Sequence, residues 1–250
     1  MCGICGASLA TEERVSVEAL AHNFLLGIEE RGRHATGLAW HAGEDVWIDK
    51  AAVPATEFVR RMPEMSSART FIGHTRWASQ GSPDNPLNNH PIEAGGLVGI
   101  HNGVLSNDDD LFSLIGEGRR RGQVDSEAIF AFLAYSGMAV DDALQWMRGS
   151  AAVAWIDSDA PDVLHLARVS SSPLTVAISE AGSLLFASTQ KCLERFEKLG
   201  GVIEQFVSLE EGTYLAVRHG EVVDSKSFAT QGSCSLSATE RKALHLEPQA

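Results

Sequence analysis

An α+β sandwich of antiparallel sheets covered by helices is the fold class this sequence predicts, and three observations predict it. Strand-like segments follow one another in meanders, helical segments come in blocks, and no stretch shows the strict strand–helix alternation of a parallel fold. At 250 residues and 44% hydrophobic, the chain can bury a sizeable core.

The elements follow in order. Cys2 to Leu9 is a short apolar stretch. Val17 to Glu30 sets Leu20, Phe24 and Ile28 at four-residue steps beside Leu25, a pattern that predicts an amphipathic helix capped by Ser16 and ended near Gly32. Thr36 to Trp40 and Val46 to Ala51 read as a strand pair turning at Gly43-Glu44-Asp45, and Pro54 opens a short helix. Phe71 to Trp77 and Leu97 to His101 are strands separated by a polar loop. Between Asn107 and Arg148, apolar triplets such as Leu111, Leu114 and Ile115 predict two or three helices packed as one layer. The second half returns to strands at Ala151 to Ile156, Val163 to Arg168, Leu174 to Ile178 and Leu184 to Ala187. A helix from Gln190 to Leu199 comes next, followed by strands at Val202 to Val207, Tyr214 to Val217 and Glu221 to Val223. From Ala229 onward the chain is polar and reads as a loosely held tail, leaving residues 2–228 as the expected domain.

Composition narrows the function. The net charge is −13, and the one basic run, Arg119-Arg120-Arg121, reads as a solvated helix cap, so no nucleic-acid partner is expected. No segment reaches the ~18 apolar residues of a membrane span and no basic signal region opens the chain, so a soluble cytoplasmic protein is the expectation. Cys2, Cys5, Cys192 and Cys234 are too scattered for a disulfide framework. Cys2-Gly3-Ile4-Cys5 has the spacing of a zinc or redox pair, but a zinc site wants a second ligand pair and none is present, so no metal or cofactor is expected and Cys5 reads as a small buried hydrophobe.

The informative residue is Cys2. Removal of Met1 would make it the N-terminus, giving one residue a thiol and an α-amine whose pKa near ~7.7–8.0 suits a base. Four further motifs carry glycines or polar residues where plain strands and helices would not. Arg31-Gly32-Arg33-His34-Ala35-Thr36-Gly37 ends the first helix and can be read as a basic, glycine-capped C-terminus. In Gly73-His74-Thr75-Arg76-Trp77-Ala78-Ser79-Gln80-Gly81, Arg beside Trp at a strand end suits fork-like recognition of a carboxylate, or a structural ion pair. His90-Pro91 precedes Gly99-Ile100-His101-Asn102-Gly103, where an Asn amide and a glycine N–H can converge on one oxygen, although Asn-Gly also marks hairpin turns. Finally, Asp125 in Gln123-Val124-Asp125-Ser126-Glu127 opens a helix, as an N-cap or as a carboxylate for an amine.

In this order the blocks resemble the class II glutamine amidotransferases, whose glutaminase domains are N-terminal-nucleophile hydrolases. The likeness runs nearest to the glutaminase domain of glucosamine-6-phosphate synthase, with related patterns in amidophosphoribosyltransferase and asparagine synthetase. It covers roughly residues 2 to 225, continuing weakly through Ser172-Pro173-Leu174 and Phe186-Ala187-Ser188. The resemblance implies a four-layer αββα sandwich. It implies Cys2 as nucleophile, Asn102 and Gly103 as oxyanion hole, Arg76 for the α-carboxylate of L-glutamine and Asp125 for its α-amine. Trp77 and Ser79 would shape the pocket, with Arg31, His74 and His101 supporting from behind. The sequence departs from that family at Arg33-His34, where Tyr-Asp is usual, and at Ser79-Gln80, where Thr-His is usual. The implied reaction is hydrolysis of the γ-amide through a thioester, with removal of Met1 as a condition. Because the chain ends where a synthase domain would begin, the ammonia acceptor is expected on a separate synthetase subunit. Two other readings stand beside this one: a γ-glutamyl peptide or glutathione-type amidase of the same fold, and a non-catalytic scaffold.

Overall fold

The middle strands of this chain are buried at nearly every residue, because one face of each sheet meets the other sheet and the opposite face meets helices. The structure, a computed structural model, describes residues 1–65 and 67–230. Its elements are β1 (Gly3–Ser8), α1 (Val17–Ile28), β2 (Ala35–Ala42), β3 (Asp45–Ala51), α2 (Ala55–Phe58), β4 (Thr70–Arg76), β5 (Ile92–Ala94) and β6 (Leu97–Leu105). Next come α3 (Asp108–Ile115), α4 (Ser126–Tyr135), α5 (Val140–Gln145), β7 (Gly149–Asp157), β8 (Ala160–Ser170), β9 (Thr175–Ser179) and β10 (Leu184–Ala187). The last are α6 (Gln190–Leu193), β11 (Ile203–Ser208), β12 (Thr213–Arg218) and β13 (Glu221–Ser227).

One sheet has seven strands in the order β11-β9-β10-β1-β4-β2-β3, and the other has six in the order β13-β12-β8-β7-β6-β5. Every pairing is antiparallel. Alternate residues of each strand point to opposite faces. Ile4, Ile72, Ile100, Ala154, Leu166 and Phe186 therefore meet between the sheets. The other parity faces helices: Cys5, Ala7 and Phe71 pack with Leu20, Phe24 and Phe58 on the outside of the seven-stranded sheet. Val153 and Ala167 pack with Leu111, Ile129 and Leu144 on the outside of the six-stranded one. The order of layers is αββα, as the family resemblance implies.

Most elements lie where the periodicity places them, and α1 has Ser16 as its N-cap, accepting a hydrogen bond from the Ala19 N–H. Three details differ. The three-residue β5 is too short to show a pattern. The helix expected over Gln190 to Leu199 is a short α6 followed by a 3-10 turn at Glu197–Leu199, both held down by buried Leu193 and Phe196. The basic run is not simply solvated. Arg120 pairs with Asp108 at 3.0 Å and Asp109 at 2.7 Å in the first turn of α3 and lies over Phe112, while Arg119 donates to the Ile115 carbonyl and covers Tyr135. Residues 231–250 of the expected tail, with Cys234, lie outside the described residues. Among the described residues no helix is long and apolar enough to cross a membrane.

Candidate active site

Cys2 precedes β1, the central strand of the seven-stranded sheet, and shares the parity of Ile4, so its side chain faces the space between the sheets. Asn102 shares the parity of Val98 and Ile100 on β6 of the other sheet. Two residues a hundred positions apart thus meet in one cavity of about 170 Å³, lined by Met1, Cys2, Trp77, Ser79, Asn102, Gly103, Val104, Ser150 and Ser172. The same parity separates the cysteine pair. Cys5 points to the helix-covered face and is fully buried beside Phe24 and Cys192, so a C-x-x-C on this strand cannot close on one metal or one disulfide.

The thiol of Cys2 is half-buried and donates to the Trp77 carbonyl at 3.8 Å. Burial pushes its pKa up. The Trp77 hydrogen bond, the terminal amine and Arg76 pull it down, and Asp125 pushes it up again. An unaided Cys2 is therefore a thiol at neutral pH. Its main chain is fixed from behind by Arg31, whose Nε donates to the Cys2 carbonyl at 2.7 Å.

Arg31 reaches that carbonyl because α1 tightens into a 3-10 turn at Glu29–Arg31. The glycine after it is not the left-handed cap the motif suggested: Gly32 has φ −171°. It is needed for close approach instead, since a Cβ there would lie 2.4 Å from the Arg76 carbonyl carbon and 2.6 Å from the Trp77 nitrogen. Arg33 turns outward to Glu29 at 3.3 Å, and His34, itself exposed, lies against the Trp77 ring.

Asn102 and Gly103 lie inside β6, in register with Ala152 and Ala151 of β7, so the hairpin-turn reading of Asn-Gly does not hold. Gly103 has φ +151°, and a Cβ there would meet the Ser150 carbonyl oxygen at 1.8 Å, so only glycine fits. The Asn102 side chain is 1% exposed, and its Nδ2 finds no hydrogen-bond partner among the described residues. Buried amide donors are nearly always paired. An unpaired one at the cavity wall can donate to an oxygen placed in the cavity.

Arg76 and Asp125 stand behind that wall rather than in it. The Arg76 guanidinium is 3% exposed, with Nη1 donating to Asn89 Oδ1 at 2.8 Å and Nη2 to the carbonyls of Gly81, at 2.8 Å, and Gln80. Burial lowers its pKa, and Cys2 and Asp125 raise it. Asp125 is the N-cap of α4, accepting from the Ser126 N–H at 2.8 Å, and also accepts from the Leu105 N–H at 2.6 Å. It thus clamps β6 just beyond Gly103. Both charges act on the Cys2 thiol, with opposite signs.

Histidines complete the support. His74 Nε2 bonds the His101 carbonyl at 3.1 Å, and its ring stacks on His90 with centroids 4.0 Å apart. Burial drives His74 down to about 3 and His90 well below the usual range, so both are neutral imidazoles at neutral pH. His101 joins Ser126 Oγ at 2.9 Å to the Ser150 carbonyl at 3.4 Å, linking the Asp125 corner to the Gly103 strand. The motifs missed Asn89, Val104, Ser150 and Ser172. Ser150 had no local signal, because it enters the cavity wall as the register partner of Val104. Ser172 lay in the weaker Ser-Pro-Leu block.

Comparison with known proteins points one way. A family model described as a glutamine amidotransferase domain matches residues 74–195. A glutamine–fructose-6-phosphate aminotransferase of Caulobacter vibrioides is 33% identical over 230 residues, 88% of this chain and 36% of that protein. The enzyme of the same name from Shouchella clausii is 28% identical over 232 residues, 89% of this chain and 36% of that protein. The chain thus spans about a third of the length of the curated relatives it matches. Among solved structures, a glutamine phosphoribosylpyrophosphate amidotransferase from B. subtilis has a TM-score of 0.73 at 20% identity, covering 92% of this chain and 50% of that one. A glutamine aminotransferase class-II domain protein from Silicibacter pomeroyi has a TM-score of 0.58 at 18% identity, covering 91% and 100%. These two show a shared fold.

Proposed function

The chain carries a class II glutamine amidotransferase domain, and on that premise we propose that residues 2–228 hydrolyse the γ-amide of L-glutamine, with Cys2 as N-terminal nucleophile. The observation that carries this reading is the unpaired Asn102 amide sharing one cavity with Cys2 and Gly103.

The chemistry follows from the groups present. With Met1 in place the nitrogen of Cys2 is an amide and is no base. Once Met1 is removed, the free amine takes the thiol proton, directly or through one water, and the sulfur bonds to the γ-carboxamide carbon. The carbonyl oxygen becomes an oxyanion, held by Asn102 Nδ2–H and the Gly103 N–H. The C–N bond then breaks, the amine returns its proton to the leaving nitrogen, and ammonia departs. Water attacks the thioester carbon, the C–S bond breaks, and glutamate leaves as the thiol is restored. Arg76 and Asp125 supply the opposite charges that an amino acid's carboxylate and ammonium require, acting from behind the wall formed by Trp77 and Ser79.

A cavity of about 170 Å³ is of a size for one amino acid amide. The acceptor of the ammonia is placed by this reading at a site outside the cavity, on a synthetase subunit. Co-purification of such a subunit from the native source tests that assignment, and release of all the ammonia to solvent in the native complex refutes it.

Intact mass and a glutaminase assay test the reaction together. Protein beginning at Cys2 should release glutamate from glutamine, and protein retaining Met1 or carrying Cys2→Ala should not. A diazo-ketone analogue of glutamine should add at Cys2. Full turnover by either inactive form, or labelling at Cys5, overturns the reading.

A further inference from the structure

The loop from Trp77 to Gly81 does three things at the site. The Trp77 carbonyl receives the Cys2 thiol, Trp77 and Ser79 form cavity wall, and the carbonyls of Gln80 and Gly81 hold Arg76. Yet this loop is exposed: Trp77 is 53% accessible, and Ser79 and Gln80 face solvent. Loops with little burial open easily unless something ties them.

One side chain ties the middle of it. His34 Nδ1 accepts the Ala78 N–H at 2.9 Å, and its ring lies against the Trp77 ring, with centroids 5.0 Å apart at 35°. The base of His34 is itself fixed, because its own N–H donates to the Arg76 carbonyl at 3.0 Å and Gly32 lets this segment lie directly on Arg76 and Trp77. A backbone N–H can only donate, so Nδ1 must present its lone pair and the imidazole proton sits on Nε2. His34 stands at one of the two positions where this sequence departs from its resembling family at the end of the first helix. The departure has a structural consequence.

We propose that His34 is a positioning residue, a latch that holds the Trp77–Gly81 loop across the Cys2 cavity by accepting the Ala78 N–H and backing the Trp77 ring. The proposal rests on the glutaminase reading only for its effect on substrate. The loop wall, and the Arg76 that the loop positions through the Gln80 and Gly81 carbonyls, bear on glutamine alike before and during reaction, so loosening them removes uniform binding. KM rises while kcat stays.

Two variants separate the two contacts. His34→Phe keeps a ring beside Trp77 and loses the acceptor. His34→Asn keeps an acceptor oxygen near the Nδ1 position and loses the ring. Hydrogen–deuterium exchange of the Ala78 amide, read by mass spectrometry on the full chain, is independent of activity. Losing one hydrogen bond of ordinary strength should speed that exchange about fivefold in His34→Phe, and His34→Asn should keep it near wild type. Glutamine KM should rise several-fold in His34→Phe with kcat near wild type, and His34→Asn should recover part of the loss. Wild-type exchange of Ala78 in His34→Phe overturns the latch, as does equal loss in both variants. Faster exchange with unchanged KM overturns its role in holding substrate. A wild-type protein that does not turn over glutamine overturns the glutaminase reading, and Ala78 exchange then still decides the latch.

Discussion

Replacing Asn102 by alanine should weaken catalysis without weakening the fold, and the two effects can be sized separately. The Asn102 amide is 1% exposed, with its Nδ2 unpaired among the described residues. An unsatisfied buried donor costs about 1–3 kcal/mol, which its deletion returns to the folded state. Against that stands the space left behind, roughly 30 Å³, which at ~24 cal/mol per Å³ amounts to about 0.7 kcal/mol. The net change in stability is therefore between about zero and +2 kcal/mol. Catalysis moves the other way. One lost oxyanion donor raises the barrier by about 2.7–4 kcal/mol, so kcat should fall by two to three orders of magnitude. Urea unfolding and glutamate release at saturating glutamine measure both numbers on one preparation. If Asn102→Ala turns over at the wild-type rate, Asn102 is not the oxyanion donor. If it unfolds more than about 2 kcal/mol more easily, the amide is part of the framework and the argument from its unpaired state is wrong.

Other substitutions probe the same frame. Gly103→Ala should destabilise by about 2–4 kcal/mol, because its Cβ meets the Ser150 carbonyl at 1.8 Å within a paired β-ladder at positive φ; an unchanged urea midpoint would contradict this. Arg31→Ala removes the 2.7 Å hydrogen bond to the Cys2 carbonyl, a charge-assisted bond of about 1.5–3 kcal/mol, and should lower kcat more than it raises KM. Kinetics identical to wild type would show that Cys2 needs no such anchor. Acid should weaken the fold through its buried histidines. Burial holds His165 down to about 4, so between the unfolded value near ~6.5 and pH 4 the unfolded chain binds a proton that the folded chain refuses. Stability is full above that window and falls on acidification, by on the order of 3 kcal/mol from His165 alone. His165→Gln should flatten part of that slope in urea titrations run from pH 7 to pH 4, and a slope equal to wild type would sink the assignment.

The candidate-site residues were legible from the order of their motifs: a cysteine at position 2, an Asn-Gly within an apolar run and an Asp opening a helix each have an ordinary local reading when taken alone. The cap on α1 was legible from local signals, Ser16 and the four-residue apolar steps. What was not legible depends on register. Ser150 enters the cavity wall only because β6 and β7 pair with Val104 opposite it. Gly32 read as a helix cap, but its reason for being glycine is the Arg76–Trp77 backbone lying against it from another strand.

Gln80 shows the limit from the other side. Its side chain looked like a meaningful departure from the family pattern, yet its main-chain carbonyl is what holds Arg76, and any residue type supplies a carbonyl. His34 shows the converse: an apparent departure that makes two side-chain contacts the sequence could not announce.

By itself the sequence determined the strand and helix periods, the sandwich class and the residue types able to cleave an amide, because propensity, patterning and side-chain chemistry are local. Only the tertiary structure decided that Cys2 and Asn102 face one cavity while Cys5 faces away, that Arg76 and Asp125 stand behind its wall, and that His34 reaches Ala78 and Trp77 in the loop beside it. Those relations depend on which strands pair and in what register. A one-residue slip in either sheet would turn Cys2 or Asn102 to the helix side, so the site exists only as a property of two sheets packed face to face.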